Sequence, residues 1–278
     1  MNWSSIIQAD ARLINVNPKE IWLYRDLVRL FVWRDFVSVY KQTVLGPLWF
    51  VFQPLITTVV YTVVFSKIAR ISTNDVPPFL FYMVAVLPWN YFSSCLTTTS
   101  NTFLSNVGLF GKIYFPRLIM PITVVITNLL TFCFQFLIFL AVYAFYLING
   151  AALHPNYMIL LTPFFLLLMG AQAVGVGMII SSLTTRYKDL LFVLGFGVQL
   201  WMYATPVVYP LSQVPEKWHW LIFLNPMAAP LESFRYAFFG TGGCSFAQLA
   251  LSILITLIIF TVGLILFSRS ERTFIDTI

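Results

Sequence analysis

Apolar residues fill the chain in long blocks, with most polar positions between them. Windows free of Asp, Glu, Lys and Arg run over 76–111, 118–185, 190–215 and 236–268. A helix needs about 20 predominantly apolar residues to cross a bilayer. The pattern therefore predicts six spans, at about 47–66, 79–101, 118–148, 157–183, 190–209 and 246–268. Gly46 and Pro47 open the first, and Pro54 inside it is expected to kink the helix. NGAALHPN at 149–156 divides the third from the fourth. In the fourth, Ala171 with Gly175 and Ala173 with Gly177 have the four-residue spacing that lets helices approach closely. The second span turns polar toward its end, where hydroxyls are expected to bond back to their own helix.

Two stretches break the apolar pattern. The first, 204–240, holds Pro206, Pro210, Pro215, Pro226, Pro230 and a charged cluster from Glu216 to His219. It allows helical pieces at 216–224 and 230–239, each about half of a bilayer crossing. Such pieces either dip into the membrane and return, lie at its surface, or belong to a proline-rich external loop. Non-helical backbone at membrane depth is tolerated only where protein or a water-filled cavity covers it, so the re-entrant reading makes 210–245 a gate or pore-lining segment.

The second stretch, 20–44, is amphipathic, basic and aromatic, as expected of a helix lying in the membrane interface. Arg25, Asp26 and Arg29 form one polar stripe; Arg34, Asp35, Ser38, Lys41 and Gln42 form another. At about 100° per residue the two stripes point to opposite sides, which predicts a bend near 30–33.

Composition removes the soluble alternatives. Of 278 residues, 59% are hydrophobic and 9% charged, with a mean hydropathy of +0.85. The fold class is an all-α integral membrane protein: a cytoplasmic N-terminus and interface helix over 1–46, then a six-span domain over 47–278. Nothing outside the apolar windows is long enough for a soluble catalytic domain. The opening MNWSSIIQADARLINVNPKE has no basic region followed by an apolar core, so the N-terminus is expected to stay in the cytoplasm. With both termini inside, twelve Lys and Arg fall on the inner side and four (Lys67, Arg70, Lys217, Arg235) on the outer. That bias is the positive-inside pattern, and it makes the net charge of +6 a topology signal rather than a nucleic-acid site.

Candidate chemistry is sparse. The two histidines, His154 and His219, stand on separate outer segments, and Glu216 with His219 lacks further metal ligands. Cys95, Cys133 and Cys244 read as core thiols. No catalytic set, cofactor site or metal site emerges. No GxxxxGK[ST] phosphate loop occurs, so the chain is not expected to hydrolyse ATP itself. The span centres carry no Asp, Glu, Lys or Arg, which argues against ion coupling; energy comes from a partner, or the protein is a passive channel. Aromatic residues make up 18% of the chain. A flat ring with a polar tip suits the mixed faces of a sugar.

Several ordered blocks carry a family resemblance: YKQTVLGPLWFVFQPL at 40–55, GKIYFPR at 111–117, RYKDL at 186–190, and then TPVVYP, VPEKW and LNPMAAPLESFRYAFFG. They resemble the ABC-2 type permeases of polysaccharide exporters, which serve O-antigen, capsule or teichoic acid. The resemblance implies a homodimer in the bacterial inner membrane, bound to two copies of a separate ATPase that uses ATP and Mg. It also implies a lipid-linked glycan as substrate and two short helices re-entering from outside before the last span. The ATPase-coupling surface would be Arg25, Arg29 and Arg34 with Lys112, Arg117, Arg186, Lys188 and Asp189. Candidate channel aromatics are Trp49, Trp89, Tyr91, Trp201 and Tyr203. The external gate would comprise Tyr209, Pro215, Glu216, Lys217, Trp218, Asn225, Pro226, Glu232 and Arg235, with Glu216, Lys217, Glu232 and Arg235 at its wet rim. Rival readings are a drug or peptide exporter, a membrane-embedded glycan- or lipid-modifying enzyme using His154, Glu216 and His219, and a passive channel.

Overall fold

The computed structural model describes residues 18–38, 41, 46–113 and 115–275. The expected cytoplasmic N-terminal segment before Pro18, the stripe residue Gln42 and Tyr114 of the GKIYFPR block lie outside the described residues. No strand occurs among the described residues. In chain order the helices are α1 (Pro18–Leu23), α2 (Arg25–Ser38), α3 (Trp49–Tyr61), α4 (Pro78–Ser100), α5 (Thr102–Ser105), α6 (Val107–Phe110) and α7 (Ile119–Ile148). There follow α8 (Thr162–Thr184), α9 (Leu190–Ala204), α10 (Glu216–Leu224), α11 (Ala228–Phe239) and α12 (Phe246–Ile275).

Among the described residues five helical segments are long and apolar enough to cross a membrane: Trp49–Ile68, Pro78–Ser100, Ile119–Ile148, Tyr157–Thr184 and Phe246–Glu271. The first continues past Tyr61 as a π-helical stretch, Thr62–Ile68, and contains Pro54. The stretch predicted as a fifth span, 190–209, forms a helix only over Leu190–Ala204. Fifteen residues reach about 22 Å, short of a hydrocarbon core of about 30 Å, because Thr205 is already extended and prolines follow.

The core forms around α4, which is buried on nearly every face. Helix α8 packs between α4 and α12, and the small residues of the fourth apolar block explain how. A side chain on Gly177 would meet Thr99 Cβ at 2.6 Å, and one on Gly175 would meet the Phe260 backbone at 3.0 Å. One on Gly263 would collide with the carbonyl oxygen of Gly175. Hydroxyls at the end of α4 bond back within the helix, Thr97 Oγ1 to Ser93 O at 2.8 Å and Ser100 Oγ to Leu96 O at 2.7 Å.

The bend predicted near 30–33 is absent. The chain turns instead at Tyr24, and α2 runs unbroken from Arg25 to Ser38. Only a narrow strip of α2 faces protein: Phe31 is buried against Phe115, Ile119 and Met120. Trp22, Leu30 and Trp33 are exposed. With one strip committed to the core, apolar residues elsewhere on the helix face outward, and the two polar stripes can lie on different sides without bending it.

Candidate functional site

The chain after α9 folds back as a hairpin of α10 and α11, and its apex is Asn225-Pro226. Neither residue can close the apex alone. The Asn225 carboxamide accepts from Trp201 Nε1 at 2.9 Å and from the Met227 amide at 3.1 Å, and donates to Thr205 Oγ1 at 2.7 Å. The Pro226 carbonyl accepts from Gln172 Nε2 at 2.8 Å and from Ser252 Oγ at 2.6 Å. Gln172, fully buried in α8, also donates to Thr256 Oγ1 at 2.9 Å. The apex is thus tied to α8, to α12 and to the end of α9.

A second tie holds the base of the hairpin. Arg235, 2% exposed, donates from Nη1 to Glu232 Oε1 at 2.5 Å and from Nη2 to the Pro206 carbonyl at 2.7 Å. Its guanidinium lies 4.2 Å from the centroid of the Phe81 ring in α4, a cation–π contact that strengthens as water is excluded. Glu232 is 1% exposed and has the Arg235 charge and the Gly243 amide as its partners. Beyond α11 the chain turns at Gly240, φ +70°, where a side chain would meet the His154 carbonyl at 2.8 Å. Asn156 fixes the same corner, donating to the Tyr236 carbonyl at 2.8 Å.

These contacts correct two expectations. Glu232 and Arg235 are not rim charges: they form an interior pair. Trp89 and Tyr91, at 5% and 4% exposure, are packed in the subunit core and are withdrawn from the channel set. Trp49 and Tyr203 are exposed, and Trp201 is half-buried, edge-on to Phe92 at 5.1 Å. Pro215, Glu216, Lys217 and Trp218 are exposed at the start of α10, with Lys217 5.9 Å from the Trp218 ring. Tyr209 is half-buried and donates to the Tyr203 carbonyl at 3.3 Å. His219 is held locally, its Nε2 2.9 Å from the Val214 carbonyl oxygen. Sequence reading missed Gln172, although a single carboxamide amid the apolar run from Phe164 to Ile180 was a usable signal.

At the opposite end, Arg117 also proves to be interior. It is 4% exposed, donates from Nη1 to the Glu271 carbonyl at 2.8 Å, and lies 5.0 Å from the Phe110 ring. It fastens the loop after α6 to the end of α12 and drops out of the predicted coupling surface. Arg25, Arg29, Arg34, Lys112, Arg186, Lys188 and Asp189 are exposed; Arg34 pairs with Asp35 at 2.7 Å.

The sequence profile described as ABC-2 type transporter matches residues 26–239, from α2 to the last residue of α11. The chain belongs to the ABC-2 type transporter family. It is therefore a membrane transporter subunit rather than an enzyme. The ABC-2 chain is 26% identical over 263 residues to the O-antigen export system permease protein RfbA of Klebsiella pneumoniae, covering 90% of this chain and 94% of that one. It is 28% identical over 224 residues to the protein of the same name from Myxococcus xanthus, covering 80% and 83%. It is also 24% identical over 241 residues to the polysialic acid transport protein KpsM of Escherichia coli, covering 84% and 89%.

Proposed function

We propose that this ABC-2 chain is the permease subunit of an ATP-driven exporter that moves a lipid-linked polysaccharide, of the O-antigen type, across the bacterial inner membrane. What carries the reading is near full-length similarity to O-antigen export permeases, over 94% of the Klebsiella pneumoniae protein. Span centres without Asp, Glu, Lys or Arg support it, because ion coupling needs such groups. Two permeases act together with two copies of a cytoplasmic ATPase, which uses ATP and Mg; both termini of the permease are cytoplasmic.

In this reading α9 and the extended TPVVYP segment together make the fifth of six crossings, and α10 and α11 re-enter from outside. The ATPase pushes on α2, on the loop around Lys112 and on the 185–189 turn. Movement of α9 then reaches the hairpin through Asn225 and Arg235, opening the outer end while the glycan slides past Trp49, Trp201 and Tyr203.

The test is reconstitution of the purified permease with its ATPase in vesicles carrying lipid-linked glycan. Transfer of glycan to the far leaflet is expected with ATP and is expected to vanish when the ATPase phosphate-loop lysine is changed to alanine. Transfer without nucleotide would sink the exporter reading in favour of a passive channel. Cysteines placed at Lys217 are expected to react with impermeant thiol reagents from outside the cell.

A further inference from the structure

On the face of the subunit formed by α7, α8 and α12 lies a cavity of about 370 Å³ whose lining side chains are all apolar, among them Val125, Ala171, Met178 and Leu264. Ile21, Ile122 and Ile126 belong to its walls and also to those of a second, shallower cavity of about 530 Å³ along α1 and α2. The second cavity is bordered by Arg25 and Arg29. Arg25 lies 5.8 Å from the Trp22 ring and donates to the Trp22 carbonyl. Arg29 makes no ion pair among the described residues. The neighbouring Asp26 does not line the groove.

An apolar slot that shares three wall residues with a groove bordered by two arginines has, with that groove, the polarity of an amphiphile. Both volumes fall in the range of ordinary ligand sites, about 300–1,000 Å³. Basic residues beside a membrane attract anionic headgroups, and an interface helix with an apolar face sits at headgroup depth. We propose that this surface is a binding site for an anionic glycerophospholipid of the bilayer, with one acyl chain in the slot between α7, α8 and α12 and the phosphate on Arg25 and Arg29. The bound lipid would then hold α1 and α2 against the bundle. The inference rests on α2 lying in the membrane interface and needs neither the glycan nor the ATPase, so its failure leaves the exporter reading standing.

The test measures retention of phosphatidylglycerol and phosphatidylcholine by the purified full-length permease, using native mass spectrometry. At about fivefold per arginine, wild type is expected to favour phosphatidylglycerol by roughly 25-fold. Arg25→Gln with Arg29→Gln is expected to abolish the preference and leave phosphatidylcholine binding in place. Ile126→Trp, at a partly exposed wall shared by both cavities, is expected to weaken both lipids. A preference that survives the double change, or unchanged binding in Ile126→Trp, would overturn the proposal. So would displacement of phosphatidylglycerol by a polyprenyl diphosphate at lower concentration than by phosphatidylglycerol itself, because the site would then serve the substrate carrier.

Discussion

Arg235 and Glu232, one turn apart in α11, form an ion pair inside the protein, with Nη1 and Oε1 2.5 Å apart. Because both charges are out of water, removing one partner strands the other. Glu232→Leu and Arg235→Met are each expected to cost about 3–5 kcal/mol. The double variant is expected to lose less than the sum of the two, by about 1–3 kcal/mol. A double-mutant cycle on unfolding in detergent checks this, and strictly additive losses would show that the pair is uncoupled.

Asn225 serves four partners with one side chain, whereas Trp201 Nε1 serves one. Asn225→Leu is accordingly expected to destabilise more than Trp201→Phe, since each buried polar group left without a partner costs about 1–3 kcal/mol. If the hairpin is a gate, Asn225→Leu also raises ion leak through reconstituted bilayers. Equal stability of the two variants would mean that the apex is held by other contacts.

Glycines in α8 and α9 are expected to respond oppositely to a methyl group. Gly177→Ala forces apart α8 and α4 at Thr99, and a loss of about 1–3 kcal/mol is expected from overpacking. Gly197 faces open space in this subunit, and alanine there is expected to be neutral or to stabilise by up to about 1 kcal/mol through helix propensity. Thermal unfolding of both variants reads the contrast; a stability loss in Gly197→Ala alone would reverse the assignment.

Two cations on one loop are expected to separate by assay. Arg117→Gln removes the link to Glu271 and the ring contacts, so it is expected to lower folding stability. Lys112→Gln, at an exposed position, is expected to leave stability within about 0.5 kcal/mol and to alter ATPase stimulation or binding. Loss of stability in Lys112→Gln would place that side chain in the same interior block.

Much of the helical layout was legible because proline, glycine and charge punctuate apolar runs of bilayer length. The two short helices before the last span were expected at 216–224 and 230–239; the first matches, and the second starts two residues earlier, at Ala228, with Pro230 accommodated in its first turn. The interior charges could not be placed from the pattern. Arg117, Glu232 and Arg235 looked like surface residues because charge is normally solvated, and what holds them inside lies far away in sequence: Glu271 for the first, Pro206 and Phe81 for the last. An opposite pair at i and i+3 in a mainly apolar twelve-residue helix was the local clue. The bend drawn near 30–33 failed because a helical wheel treats each face as inside or outside, and α2 has protein on one strip only.

The two ties of the hairpin converge on a single six-residue stretch, since Trp201 and Thr205 anchor the apex while Pro206 anchors the base. A flap fastened at both ends to the same short piece of chain has no free hinge. Pro226 also ties the apex to Gln172 in α8 and Ser252 in α12, so a gate built on this hairpin would open only with those bonds broken or with α8, α9 and α12 moving together. If the hairpin is the outer gate, a crosslink that immobilises Asp189 and Leu190 at the opposite end of α9 is expected to restrict it without touching it.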